Sequence, residues 1–252
     1  MDQQDGENNV SRSYRSLHEN SDLRYFNIQI RESDLAIGVD QASFQPALRS
    51  KARKELARLR GDLEDYIFCH PEFRTSLVPV RLLTAAPEIA RTMARAARMC
   101  NVGPMAAVAG AIAQALGEKL CQCAQEVIVE NGGDIFIKTR KDRTVGVFAG
   151  SSTFSYHLGI RIAASESTLG ICTSSGTVGP SISFGNADAV VIKAKTAALA
   201  DAAASRAGNM VQGIEDLVKA IDSIKEIPGI KGVLIIKQDK LAAWGDMELV
   251  PI

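Results

Sequence analysis

The chain has 252 residues, with 29 Lys and Arg against 29 Asp and Glu, so its formal net charge is zero. That balance argues against a protein built around nonspecific nucleic-acid binding, which needs surplus positive charge on one face. It also disfavours a polybasic membrane anchor. Alanine is unusually frequent, with 34 residues, and alanine-rich segments favour closely packed helices.

The five cysteines show neither CxxC spacing nor a neighbouring His, so we expect no zinc site and no haem. An odd number of free thiols is typical of a reducing cytoplasm. The acidic, polar N-terminus lacks the basic and apolar regions of a signal peptide. The apolar segment at residues 102–117 is too short to span a membrane and indicates a buried helix. We therefore expect a cytoplasmic protein.

Residues 1–22 are polar and are predicted to form an N-terminal tail, with one domain at residues 23–252. Alternating apolar residues from Tyr25 predict a strand, whose hairpin partner at residues 35–39 follows a turn at residues 32–34. Periodic apolar residues predict helices at residues 46–68, 88–100, 104–123, 196–210 and 214–224. Further strands are predicted at residues 127–129, 135–137, 144–148, 157–163, 168–172, 189–192, 233–236 and 240–244.

Strands and helices do not alternate strictly, which favours an α+β fold with mixed or antiparallel sheets. The helix at residues 104–123 has a smooth face of Ala106, Gly110, Ala113 and Gly117. Glycine costs about 1 kcal/mol in a helix relative to alanine, so these glycines imply a close approach by another segment. The helix at residues 88–100 carries Arg91, Arg95 and Arg98 on one face, which fits a solvated face or contact with a phosphate.

The segment Glu130-Asn131-Gly132-Gly133-Asp134 joins two predicted strands. Asn-Gly and Gly-Gly pairs favour positive φ, so a plain hairpin turn is one interpretation. The alternative is a ligand site, because glycines let a ligand lie against bare backbone N–H groups and the two carboxylates flank them. In that case Asp134 or Glu130 would act as a catalytic base.

A second polar cluster follows the strand at residues 168–172 and consists of Thr173, Ser174, Ser175, Gly176 and Thr177. Its hydroxyls can donate to phosphate or carboxylate oxygens. It lacks the Lys of a P-loop and the spacing of a GxGxxG motif. A polar loop without a ligand remains the alternative.

The third cluster is Asp201 and Ser205, four residues apart on a predicted helix and therefore on the same face. A carboxylate and a hydroxyl are hard oxygen donors of the kind that Mg²⁺ accepts. The alternative is that Asp201 stabilises the start of its own helix through the helix dipole.

These three clusters, in this order, resemble the GGD, TSG and ADA-x-x-T segments of the ApbE family, the FAD:protein FMN transferases. The resemblance implies an ApbE-like fold, a flavin such as FAD or FMN, and Mg²⁺. It implies flavin or phosphate contacts by Asn131, Gly132, Gly133 and the residues from Thr173 to Thr177. It also implies that the metal is held by Asp201, by Ser205 and by the backbone oxygen of Ala106.

The chain more closely resembles a branch of that superfamily without an assigned function, through Tyr66-Ile67, His70-Pro71-Glu72-Phe73, Val102-Gly103-Pro104-Met105-Ala106 and Ser183-Phe184-Gly185. It departs from the transferases at Ala109, where they carry Lys, and at residues 179–185, which lack their His and Asp. These departures favour binding of a flavin or another phosphate- or carboxylate-bearing small molecule over flavin transfer. A non-catalytic small-molecule-binding homo-oligomer, such as a homodimer, is the alternative function.

Overall fold

A computed structural model describes residues 22–166, 168–176 and 185–252 of the chain. Its helices are α1 (Pro46–Cys69), α2 (Glu72–Thr75), α3 (Glu88–Cys100), α4 (Val108–Leu120), α5 (Ala197–Met210) and α6 (Leu217–Asp222). Its strands are β1 (Leu23–Ile30), β2 (Ser33–Asp40), β3 (Val127–Asn131), β4 (Asp134–Lys138), β5 (Arg143–Gly146), β6 (Leu158–Ile162), β7 (Leu169–Ser174), β8 (Ala189–Ala194), β9 (Ile230–Lys237), β10 (Lys240–Gly245) and β11 (Glu248–Pro251).

The strands form an eight-stranded sheet in the order β1-β2-β3-β4-β7-β8-β9-β10 and a three-stranded sheet in the order β11-β6-β5. Every pairing among the described strands is antiparallel. Antiparallel neighbours need only short connections, so no helical crossover is required between most of them. The α+β fold class predicted from the sequence is therefore confirmed.

The large sheet has a hydrophobic core on each of its faces. Phe136 and Cys172 belong to the core shared with the helices, whereas their chain neighbours Ile137 and Ile171 belong to the core shared with the small sheet. This division follows from the two-residue period of a strand, which sends successive side chains to opposite faces. Three layers result, with helices, large sheet and small sheet in that order.

Small residues allow the helices to lie close to the sheet and to one another, as the alanine content predicted. A Cβ atom on Gly117 of α4 would lie 2.1 Å from the ring of Phe136. A Cβ atom on Gly110 would lie 2.3 Å from the carbonyl oxygen of Ala197, where α5 begins. Both distances are shorter than van der Waals contact, so glycine is required at these two positions for the observed packing.

Several local predictions differ from the structure, and α2 and β11 were not predicted from the sequence. The predicted helix at residues 104–123 is a 3₁₀ turn at Pro104–Ala107 followed by α4, which ends at Leu120. The β1–β2 turn is formed by Arg31 and Glu32, because Ile30 pairs with Ser33. The predicted tail lies outside the described residues except for Asp22, which binds Arg143 and Lys141.

No single helix within the described ranges is long and apolar enough to cross a membrane. The segments Glu88–Cys100 and Pro104–Leu120 satisfy that criterion only as a pair, and they are bent by 103° relative to each other.

Candidate functional site

The β3–β4 hairpin turns through two glycines. Asn131 and Asp134 face each other in the strand register, and Gly132 and Gly133 between them have φ values of 68° and 106°. Positive φ is readily available only to residues without a Cβ atom or with a short polar side chain. The carboxylate of Glu130 accepts the N–H of Gly133 at 2.9 Å. The tight turn predicted from the Asn-Gly-Gly sequence is confirmed.

The hairpin places the two predicted catalytic carboxylates on opposite faces of the large sheet. Asn131 lies on the helix-facing side, where its side-chain amide donates to the carbonyl of Ala109 at 3.1 Å. Its register partner Asp134 shares that face because directly paired residues point to the same side. Glu130 is one position away and pairs with Ile135, which packs against the core of the small sheet.

Strand β7 brings Cys172 directly opposite Asp134. The sulfur of Cys172 lies 3.3 Å from the carbonyl oxygen of Ala197 and also contacts the carboxyl group of Asp134. Burial raises the pKa of the Cys172 thiol well above its ordinary value, and the nearby Asp134 and Asp201 carboxylates raise it further. The sequence offered no local signal that Cys172 lies beside these groups, because Asp134 and helix α5 are distant from it along the chain.

Asp201 of α5 reaches the first turn of α4. Its Oδ2 accepts the N–H of Gly110 at 2.8 Å, and the N–H of Ala109 also lowers its pKa by hydrogen bonding. These are orphan donors at the start of α4, whose own N-cap residue, Ala107, has no side-chain acceptor. Asp201 therefore caps a helix to which it does not belong.

The start of α5 itself is capped by Thr196, whose hydroxyl accepts the N–H of Leu199 at 3.4 Å. The first turn of α5 contains no acidic residue. The interpretation that Asp201 serves only to cap its own helix is therefore wrong.

Asp134 is buried and Asp201 is half-buried, and the two acidic groups lie close enough to repel each other. Burial raises the pKa of Asp134 well above its ordinary value, and repulsion by Asp201 raises it further. Burial raises the pKa of Asp201 to about 7, against the opposing effect of the Gly110 and Ala109 amides. Within the described residues, no Lys, Arg or His forms an ion pair with either group. A cation placed beside them would relieve this repulsion.

The hydroxyl cluster lies at the end of β7, next to the hairpin and α5. The carbonyl oxygen of Thr173 is 3.8 Å from the position that a Cβ atom on Gly133 would occupy. The hydroxyl of Ser174 is 3.3 Å from the corresponding position on Gly208. The structure thus brings two of the predicted polar residues toward the glycine turn and α5.

The remaining part of the cluster follows β7. Ser175 is half-buried, and Gly176 donates its N–H to the carbonyl of Ala187 at 2.9 Å. The backbones at Gly176 and Gly185 approach closely, since a Cβ atom on Gly176 would lie 1.9 Å from the Gly185 oxygen. The predicted residue Thr177 lies outside the described residues.

The elements that carry the predicted metal ligands pack against one another, since α5 contacts both α4 and the 3₁₀ turn at Pro104–Ala107. Ser205 lies one helical turn beyond Asp201, and half-buried Ala106 lies in the 3₁₀ turn that leads into α4. No cluster of three or more His, Cys, Asp or Glu side chains suited to a metal exists in the part of the chain described. A metal here would need hydroxyl and carbonyl oxygens beside the acidic pair. Such hard oxygen donors fit Mg²⁺.

The fold of this chain is similar to that of solved flavin transferases. The flavin transferase ApbE of Vibrio cholerae matches with a TM-score of 0.55 and 10% identity, covering 89% of this chain and 97% of that one. The ApbE protein of Thermotoga maritima matches with a TM-score of 0.54 and 12% identity, covering 88% and 97%. At such low identity the similarity establishes the shared fold.

The family is established by sequence. The family model described as AbpE bacteria matches residues 15–243, and the chain belongs to that family. UPF0280 protein MJ1526 of Methanocaldococcus jannaschii is 41% identical over 229 residues, which cover 88% of this chain and 91% of the relative. The UPF0280 protein of Methanococcus aeolicus is 40% identical over 214 residues, covering 83% and 85%. The resemblance noted from the sequence is therefore confirmed at the level of family and fold.

Proposed function

We propose that this protein binds a phosphate-bearing small molecule, with FAD or FMN as the first candidates, together with Mg²⁺. The observation that carries the proposal is the pair of buried Asp134 and half-buried Asp201, which no cationic side chain neutralises within the described residues. Buried like charges are costly unless they are protonated or bind a cation. The solved structures with the same fold include flavin transferases, which suggests the ligand class.

Each residue of the proposed site has a chemical role. Asp201, Ser205 and the carbonyl of Ala106 would hold Mg²⁺, with Asp134 close by. When bound, the metal would supply positive charge against the phosphate oxygens of the ligand. The Gly132-Gly133 backbone leaves open space beside the turn, since no atom lies within 4 Å of a Cβ atom placed on Gly132. A ligand could therefore approach that backbone closely.

The same site also supports binding without chemistry, which is the second candidate function. The resemblance to the transferases places their Lys at Ala109, and here Ala109 offers only its backbone, with its carbonyl bound to Asn131. Asp134 could still accept a proton as a base, but no described Lys, Arg or His forms an ion pair with Asp134 or Asp201. A small-molecule-binding homo-oligomer is consistent with this chemistry.

Thermal unfolding with and without ligands tests the proposed site. FAD, FMN and ADP are each added to the full chain with Mg²⁺ or with EDTA, and the melting temperature is recorded. We expect FAD to raise the melting temperature more with Mg²⁺ than with EDTA, because a ligand that binds only the folded state stabilises it. The Asp201→Asn variant should lose the additional rise in melting temperature that depends on Mg²⁺. The Asp65→Asn variant, changed at an exposed position, should retain it.

A second measurement separates transfer from binding. FAD, Mg²⁺ and candidate acceptor proteins are incubated with the chain, AMP is measured by chromatography, and flavin attachment is measured by mass spectrometry. AMP release with a flavinylated acceptor supports transfer, and a thermal shift without AMP supports binding alone. If none of the three ligands shifts the melting temperature with Mg²⁺, the proposed site is wrong.

A further inference from the structure

A separate cavity of about 560 Å³ lies on the helical side of the molecule. It is bounded by α1, α3, α4, the start of α5 and the loop at residues 228–229. None of the candidate-site residues lines it. Its volume lies within the range of about 300–1,000 Å³ that is typical of small-molecule sites.

The wall of this cavity is amphipathic. Its apolar part is formed by aliphatic side chains from four helices, among them Leu59, Ile89, Ala111, Ala115 and Leu199. Its polar part contains four basic and four acidic side chains, so the formal charge of the lining is balanced. The acidic and the basic groups differ, however, in whether other side chains bind them.

The acidic side chains of the wall already have partners. Glu55 and Asp62 both bind Arg58, which is one of the four basic residues of the lining. Glu88 accepts a hydrogen bond from Arg91, and Glu118 accepts one from the amide of Gln114 at 3.0 Å. The carboxylates that face the cavity are therefore engaged by neighbouring donors.

The other three basic side chains of the wall are not engaged in this way. Arg95 of α3, Lys119 of α4 and Lys195, just before α5, form no side-chain hydrogen bond or ion pair with any residue that the structure describes. The amino end of α5 also begins in this wall at Thr196 and Ala198, and its dipole adds positive potential there. Lys119 lies near Glu55 and lowers the pKa of that carboxyl group, whereas the exposed Arg95 and Lys195 place positive charge beside the apolar surface without an ion pair among the described residues.

We propose that this cavity is a second binding site, for a small molecule with an apolar body and a carboxylate or phosphate head. The apolar body would lie on the Leu59, Ile89 and Ala115 surface. The anionic head would lie among Arg95, Lys119 and Lys195, where it gains charge-assisted hydrogen bonds. The proposal does not depend on the flavin site, since the two sets of residues are different.

Titration calorimetry of the full chain with octanoate and octylammonium tests this assignment. The two probes share an apolar chain and differ in the sign of the head group. We expect octanoate to bind at least tenfold more tightly than octylammonium. Arg95→Gln and Lys195→Gln should each weaken octanoate binding by about three- to tenfold, whereas Arg81→Gln, an exposed arginine outside the cavity, should leave it unchanged.

A space-filling variant provides the independent check. Ala115→Phe places a ring in the cavity and should remove octanoate binding while the melting temperature stays within a few degrees of the parent. Equal affinity for both probes, absence of octanoate binding, or unchanged affinity in the Arg95 and Lys195 variants would overturn the proposal. If Ala115→Phe does not fold, the Arg95→Gln and Lys195→Gln results decide.

Discussion

The carboxylate of Asp201 accepts the backbone N–H of Gly110 at 2.8 Å, although the two residues are 91 positions apart in the chain. This bond caps α4 with a side chain from α5 and holds the acidic group beside Asp134. Asp201 thereby links α4 to α5 and supplies one of the two carboxyl groups of the acidic pair. Its two roles, capping and charge, can be separated by experiment.

The capping role predicts a difference between two substitutions that both remove the charge. Asp201→Asn keeps an oxygen that can accept the Gly110 N–H, whereas Asp201→Ala keeps none. We expect the alanine variant to be less stable than the asparagine variant by about 1 kcal/mol, the usual contribution of an N-cap side chain. Urea unfolding measures the difference, and equal stabilities would exclude the cap.

The charge predicts an unusual pH dependence. The pKa of Asp201 is raised from 3.8 to about 7 in the folded protein, so between these values the folded state binds more protons than the unfolded state. Stability contributed by this group is therefore present at low pH and is lost as pH rises through about 7. The loss can reach about 1.4 kcal/mol per pH unit for one proton.

The measurement is urea unfolding in EDTA from pH 5 to 8, for the parent and for Asp201→Asn. Carboxylates remote from the site contribute equally to both proteins, so the difference reports Asp201 together with Asp134, whose pKa Asp201 raises. We expect the parent to lose stability relative to the variant as pH rises, and Mg²⁺ to reduce that loss. A parent that gains stability relative to the variant would contradict the assignment.

The close approach of α4 and α5 predicts that Gly110→Ala is destabilising. Its Cβ atom would lie 2.3 Å from the Ala197 carbonyl oxygen, so α5 must move and the cost should be about 2 kcal/mol or more. Gly61 of α1 is the matched control, because a Cβ atom there has no neighbour within 4 Å. Gly61→Ala should stabilise the helix by about 0.5–1 kcal/mol. Equal effects in thermal unfolding would contradict the proposed contact.

The hairpin turn predicts a conformational rather than a steric effect at Gly132. No atom lies within 4 Å of a Cβ atom at this position, but its φ is 68°. A β-branched side chain is strained in that region, so Gly132→Val should cost about 1–2 kcal/mol. Gly132→Asn should cost less, because asparagine tolerates positive φ. Denaturant unfolding of both variants tests this order, and a reversed order would contradict the turn geometry.

A buried ion network predicts strong coupling near the start of β1. Arg143 is only 4% exposed at its side chain and binds Asp22 at 2.7 Å and Glu126 at 2.9 Å. Arg143→Met leaves Glu126 buried without its cation and should cost about 3–5 kcal/mol. Adding Glu126→Gln should recover part of that loss in a double-mutant cycle. Strictly additive effects would contradict the pairing.

The sequence by itself determined the described strands other than β11, most helix boundaries and the glycine turn. The alternation of apolar residues and the φ preferences of glycine depend on only a few neighbouring residues. These features can therefore be predicted without knowledge of the fold. The Glu88–Cys100 helix and the Gly132-Gly133 turn are examples. The family resemblance, carried by short motifs, was likewise legible.

Only the tertiary structure decided which residues of those motifs meet. The strand register places Cys172 opposite Asp134 and turns Glu130 to the other face of the sheet. Helix packing, which depends on Gly110, brings Asp201 to the start of α4. Such contacts depend on packing and pairing between distant segments, and local sequence patterns do not show which segments meet. The net charge of the chain likewise does not show that, among the described residues, one acidic pair lacks a cation and three basic groups elsewhere lack an ion pair.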